Sequence, residues 1–152
     1  MATAHQYRVF LDTNVLINEY AWRSHFKRNR ESQAAHEAYH FLKQRGFRLY
    51  AATFAVLQFV SSLVKFAKVA HDEVENEVMR LTQHLSLVHL TRDDLLDGLS
   101  LKNPDVEDAV QYALCRKVRC QYLITANTAD FVNMPGVVVV HPSKIRAIFA
   151  LN

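Results

Sequence analysis

A chain of 152 residues, 50% hydrophobic and 22% charged, is long enough for one well-packed domain and too short for two, and global disorder does not fit it. Its three glycines leave no phosphate-cradling GxxxxGK or GxGxxG loop, which disfavours the nucleotide-binding folds built on them. A net charge of +3 and a pI near 9.0 tilt the choice of partner towards anions, nucleic acid included, and no apolar run reaches membrane-spanning length.

The first strand is expected over residues 7–11, reading Tyr7-Arg8-Val9-Phe10-Leu11, with no leader sequence ahead of it. Asp12-Thr13-Asn14 breaks it into a helix that opens on Val15-Leu16-Ile17. Asp12 thereby stands at the carboxyl end of a strand; alone it is an ordinary helix cap. Residues 22–30, WRSHFKRNR, read as a basic solvated loop. Their functional reading is a phosphate-contacting rim on which Trp22 and Phe26 stack bases, although a tryptophan more often packs.

An amphipathic helix follows over 31–45 and is stopped by Gly46. It contains His36-Glu37-Ala38-Tyr39-His40, a literal HExxH whose histidines share a helix face as a zinc protease requires. Eight histidines in the chain make such a match easy by accident, and the sequence shows no third ligand. Residues 47–52 form the second strand, and 54–69 a broadly buried helix interrupted by Gln58, Ser61, Ser62, Lys65 and Lys68. A helix with an acidic start covers 71–85, a third strand 86–90, and Thr91 caps a short helix.

The segment 103–131 carries the clearest chemistry. Asn103 is expected to cap a helix with Pro104 in its first turn and Asp105 and Glu107 at its positive end. Val106, Ala109, Val110, Ala113, Leu114 and Val118 recur at helical spacing to about Arg119. A strand over 122–125 is followed at once by Asn127, Thr128 and Asp130. Val137 to Val140 form a strand apolar throughout, as in a sheet covered on both faces, and a last helix is expected over 144–151. Cys115 and Cys120 flank the helix-to-strand turn; reduced thiols in a cytoplasmic protein are expected, with no metal or redox role.

This rhythm predicts an α/β fold, a three-layer α/β/α arrangement around one central, mostly parallel sheet of about five strands. In such a layout ligands bind at the carboxyl edge of the strands, and crossover helices begin there. Asp105 and Asp108, three apart on one helix face, then share a rim with Asn127, Asp130 and Asp12. Carboxylates gathered on one rim repel unless a cation joins them, and hard oxygen ligands suit Mg²⁺ or Mn²⁺.

Three stretches, FLDTNVLI at 10–17, EDAVQYALC at 107–115 and LITANTADF at 123–131, together resemble the PIN-domain family of metal-dependent nucleases. The subgroup they are most similar to is the bacterial toxin-like (VapC-type) ribonucleases of toxin–antitoxin pairs. The resemblance spans essentially the whole chain and implies a single PIN-like nuclease domain over residues 1–152. By it, Asp12 and Asp108 match two metal-binding acids, and a further acid falls at Asn127 or Asp130. Gln58 stands where many relatives carry an acid, so that position offers an amide oxygen and no charge.

The leading expectation is an endoribonuclease that hydrolyses RNA phosphodiester bonds with Mg²⁺ or Mn²⁺. Asp12 ligates the ion, Asp108 faces it, Asp130 or Asn127 holds a water, and Asp105 supports from behind. Thr13, Asn14 and Thr125, together with Gln58, position water or phosphate. The alternative is an acid-poor PIN-like domain that binds RNA or a protein partner without cleaving. The resemblance also implies a homodimer and an antitoxin whose segment covers the acidic rim. No base-reading signature identifies the RNA target.

Overall fold

In a computed structural model the described residues are 7–131 and 134–150. The strands are β1 (Arg8–Leu11), β2 (Arg48–Ala52), β3 (Leu85–Val88), β4 (Tyr122–Ile124) and β5 (Val138–Val140). They form one sheet in the order β3-β2-β1-β4-β5, with every neighbouring pair parallel. β1 lies at the centre and is inaccessible from Val9 to Leu11. Side chains alternate across a strand, so Val9 and Leu11 enter one core while Phe10 enters the other.

Helices cover both faces. α1 (Thr13–Arg23), α2 (Arg30–Gln44), α4 (His71–Thr82) and α7 (Ile145–Phe149) pack around Leu16, Tyr39, Leu42, Leu81 and Phe149 on one side. α6 (Val106–Lys117) supplies Val110, Tyr112, Leu114 and Cys115 to the other, with α5 (Arg92–Ser100) packed against it. α3 (Thr53–Lys65) contributes to both, through Phe59 and Leu63 to the first core and Ala55 to the second. The architecture is the predicted three-layer α/β/α, with a sheet that is wholly parallel. Among the described residues no helix is long and apolar enough to cross a membrane.

Local chemistry sets most helix ends. α2 starts in a capping box of Asn29 and Ser32 and stops before Gly46, whose φ of 73° suits a residue without a Cβ. The departures from expectation are also local. α3 ends at Lys65 rather than 69, because the chain turns through a positive φ of 53° at Lys68. α6 is capped by Asp105, not Asn103, and begins at Val106, whose side chain is 46% exposed instead of buried. The last expected helix is split into a 3₁₀ turn, Pro142–Lys144, and α7, and its predicted end at 151 lies outside the described residues. Cys115 and Cys120 are both buried and free.

Candidate metal centre

β2 and β3 lie on one side of β1, and β4 and β5 on the other, so the strand order reverses between β1 and β4. At that reversal two connections leave in opposite directions and open a crevice at the carboxyl edge. Asp12 sits there, tied to β4 by its backbone N–H donating to Ile124 O at 3.0 Å. Its side chain caps α1 and is only 4% exposed. Each carboxylate oxygen accepts two hydrogen bonds: Oδ1 from Thr13 N–H and Gln111 Nε2, both at 2.7 Å, and Oδ2 from Asn14 Nδ2 at 2.9 Å and Thr125 Oγ1 at 2.7 Å. Burial nevertheless raises the Asp12 carboxyl above its ordinary value, against those hydrogen bonds from Thr125, Gln111 and Thr13.

The start of α6 supplies the facing acids. Asp105 takes the cap position, and its Oδ1 accepts from Asp108 N–H at 3.0 Å. Asn103, expected as the cap, instead accepts from Asp105 N–H through Oδ1 and donates Nδ2 to Asp130 O at 3.2 Å. It thus holds the entry to α6 against the 3₁₀ turn Thr128–Phe131, which follows β4 and carries Asp130. As a result one carboxylate oxygen from each of Asp105, Asp108 and Asp130 lies within 4.8 Å of the other two.

Repulsion within this group is visible at Asp108, which is 8% exposed. Its carboxyl is pushed up to about 7, first by burial and then by the charges of Asp12, Asp105, Asp130 and Glu107. A cleft of about 310 Å³ joins these residues to Thr13, Asn14, Ile17, Gln58, Gln111 and Asn127. Among the described residues five carboxylates line it and no Lys, Arg or His does.

The polar residues expected to position water or phosphate are here, though partly engaged with one another. Thr125 is fully buried; its Oγ1 donates to Asp12 and accepts from Asn14 Nδ2 at 3.2 Å and Asn127 N–H at 3.1 Å. Asn14 Oδ1 accepts from Ala126 N–H at 3.1 Å, clamping β4's exit to α1. Gln58 Oε1 accepts from Thr13 Oγ1 at 2.8 Å, so the amide in the acid's place is turned to a neighbour. Asn127 is exposed on the cleft wall.

Sequence reasoning missed two polar lining residues, and the apolar Ile17. Glu107 adds a fifth negative charge, and Gln111 pins Asp12 while its own Oε1 is buried without a partner. The Gln111 signal was its place one turn after Asp108, three positions on. The donor set fits a hard divalent cation: clustered carboxylates, one at about 7, beside an orphaned amide oxygen. Asp105, Asp108 and Asp130 are placed to hold it, with Asp12's charge behind them.

The other sequence motifs lie elsewhere. Of the basic stretch, Trp22 and Arg23 belong to α1, and the Arg28 guanidinium lies 4.7 Å from the Trp22 ring centroid, so this tryptophan packs. Phe26 is 55% exposed. His36 and His40 do share a face of α2, turned towards Glu19 of α1.

Comparison with known proteins agrees with this geometry. The family model described as PIN domain matches residues 8–129. No curated protein sequence matches significantly. Among solved structures, a toxin–antitoxin complex from Klebsiella pneumoniae is similar at 22% identity and a TM-score of 0.60, over 88% of this chain and 97% of that one. VapBC2 from Rickettsia felis, bound to a promoter DNA fragment, gives 11% identity and a TM-score of 0.61 over 88% and 98%. The sarcin-ricin loop cleaving toxin VapC20 from Mycobacterium tuberculosis gives 14% and 0.58 over 76% and 86%. With the matched family model covering most of the chain, from β1 through α6 to the Asn127 turn, this chain belongs to the PIN-domain family.

Proposed function

We propose that the chain is a Mg²⁺- or Mn²⁺-dependent endoribonuclease, the toxin of a toxin–antitoxin pair, acting as a single nuclease domain in the cytoplasm. The observation that carries this reading is the convergence of Asp105, Asp108 and Asp130 within 4.8 Å beside buried Asp12. The likeness to a toxin that cleaves the sarcin-ricin loop supports RNA as the substrate. When bound, the divalent ion neutralises the scissile phosphate and lowers the pKa of the attacking water.

The chain's own residues do the rest. Thr13, Asn14, Thr125 and Gln111 hold Asp12 in one orientation, so its charge faces the cleft without rearrangement. Asp105, Asp108 and Asp130 would hold the ion through their carboxylates, and Asp108 would give up its proton to do so. Asn127 and Gln58, uncharged, orient water or a phosphate oxygen from the cleft walls. Five carboxylates on an open cleft also suit an antitoxin segment that inserts Arg or Lys side chains, and the similar toxin–antitoxin complexes support such a partner. A homodimer belongs to the same proposal.

The test is cleavage of single-stranded RNA with Mg²⁺ or Mn²⁺, with and without chelator. Asp12→Ala and Asp108→Ala are expected to abolish cleavage while circular dichroism stays native. Undiminished activity in both variants removes this site from the reaction. A second reading, a domain that binds RNA or protein without cleaving, draws on Gln58 and Asn127 at acid positions and on the full occupancy of Asp12's oxygens by protein donors. It predicts RNA retention with no chelator-sensitive product.

A further inference from the structure

The HExxH motif lacks a third ligand in sequence, and the fold supplies one. α1 and α2 pack side by side and bring Glu19 opposite the two histidines. Glu19 Oε1 lies 3.6 Å from His36 Nδ1 and 3.9 Å from His40 Nε2, and the two rings are 4.3 Å apart. These separations are too long for hydrogen bonds. All three atoms are buried and make no hydrogen bond among the described residues, and Glu19 itself is only 2% exposed. Such a group costs stability unless something occupies the space between its members.

We infer that Glu19, His36 and His40 form a second metal site, for a transition-metal dication of the zinc type, fastening α1 to α2. Two imidazole nitrogens and one carboxylate oxygen are a ligand set for Zn²⁺, Co²⁺ or Ni²⁺, not for Mg²⁺. Tetrahedral zinc holds its ligand atoms about 3.3 Å apart, so the Glu19 oxygen must draw closer to the two histidine nitrogens by about 0.3 and 0.6 Å. The other Glu19 oxygen is held by Arg80 Nη2 at 3.0 Å, which orients Oε1 towards the histidines.

Arg23, with Nε 3.4 Å from Glu19 Oε1, and Arg80 both pair with Glu77, so two cations meet two carboxylates. The histidine side chains are 27% and 36% exposed, so the group lies close to the surface from which an ion would enter. Glu19 lies two turns along α1 from Asp12, about 10 Å of helix axis, so this site is separate from the acidic rim and does not depend on its function.

Co²⁺ and Zn²⁺ are the probes for metal-stripped protein. Trp22 is the only tryptophan, and its ring centroid is 6.4 Å from that of His36. Bound Co²⁺ is therefore expected to quench its fluorescence and to give visible d–d bands. Zn²⁺ should displace both signals and Mg²⁺ neither. His36→Ala and His40→Ala are each expected to weaken Co²⁺ binding by at least about tenfold, since even indirect partners of a ligand cost that much. Should an alanine variant fail to fold, His36→Asn and His40→Asn serve instead, with far-UV circular dichroism as the check. Asp12→Asn and Asp108→Asn, which alter only the acidic rim, should leave the Co²⁺ quenching of Trp22 unchanged. Undisturbed Co²⁺ quenching of Trp22 in both histidine variants, or no quenching in the unaltered protein, overturns the site.

Discussion

Asp108 shows what the rim costs the fold when no cation is bound. Its carboxyl rises from 3.8 to about 7, by burial first and by Asp12 and the other rim acids next. The folded state therefore binds a proton that the unfolded state has released between those two pH values. Stability from this group is full below about 4 and is lost as pH rises through about 7. The gap corresponds to about 4 kcal/mol at most, less whatever solvent screening removes. Urea titrations of metal-free protein at pH 4.5 and 7.5 should show the loss, although other carboxylates add their own slopes. Asp108→Asn, which cannot ionise, should flatten much of the difference and leave the metal-free protein more stable at the higher pH. An unaltered pH dependence in Asp108→Asn would mean that the charge cluster is not felt. Acids at strand ends and helix starts carry a positional signature, which is why Asp12, Asp105, Asp108 and Asp130 were legible in sequence. Gln111 offered only its place one turn after Asp108, and Glu19 no signal, because what matters about each is a partner on another segment: Asp12 for one, His36 and His40 for the other.

At the scale of elements, α6 does two jobs at one end. Asp105 closes the helix by accepting from Asp108 N–H, and the same carboxylate adds to the charge around Asp108. The two substitutions at this position should consequently separate. Asp105→Ala loses the cap, worth about 1 kcal/mol, and recovers part of it by relieving repulsion. Asp105→Asn keeps a cap and removes the charge, so at pH 7 without metal it should be the more stable of the two in urea melts. The opposite order would show that the Asp105 cap adds nothing to the stability of α6. Sequence placed the helix correctly from its apolar spacing, but chose Asn103 over Asp105 because both are good caps. The choice is made by a contact with Asp130 that is 27 residues away in the chain. α5 meets the other side of α6 at Gly98, where an added Cβ would lie 2.7 Å from Val110 Cγ2 and 2.9 Å from its Cα. Backbone that close cannot yield as a side-chain tip would. Gly98→Ala is expected to cost about 1–3 kcal/mol in equilibrium unfolding, and a neutral result would show that α5 slides freely.

For the molecule as a whole, the sheet order was not legible as a list of neighbours, since periodicity reveals strands but not their partners. Its consequence was legible: parallel strands deliver every connection that follows a strand to one edge, so acids after β1, before α6 and after β4 must converge. That convergence ties the ends of the chain's two halves to one point, and a cation there should resist global unfolding. An ion at a hundred times its dissociation constant stabilises by about 2.7 kcal/mol. In a domain of this size that corresponds to a rise of about 5–10 °C in Tm. Mn²⁺ added to metal-stripped protein should produce such a rise, largely lost in Asp12→Asn and Asp108→Asn and retained in His36→Ala. The carboxylates must be ionised to take the ion, so the rise should shrink as pH falls below about 7, where Asp108 keeps its proton. A Mn²⁺ shift of equal size in Asp108→Asn would locate the ion elsewhere and leave the acidic cleft without its central role.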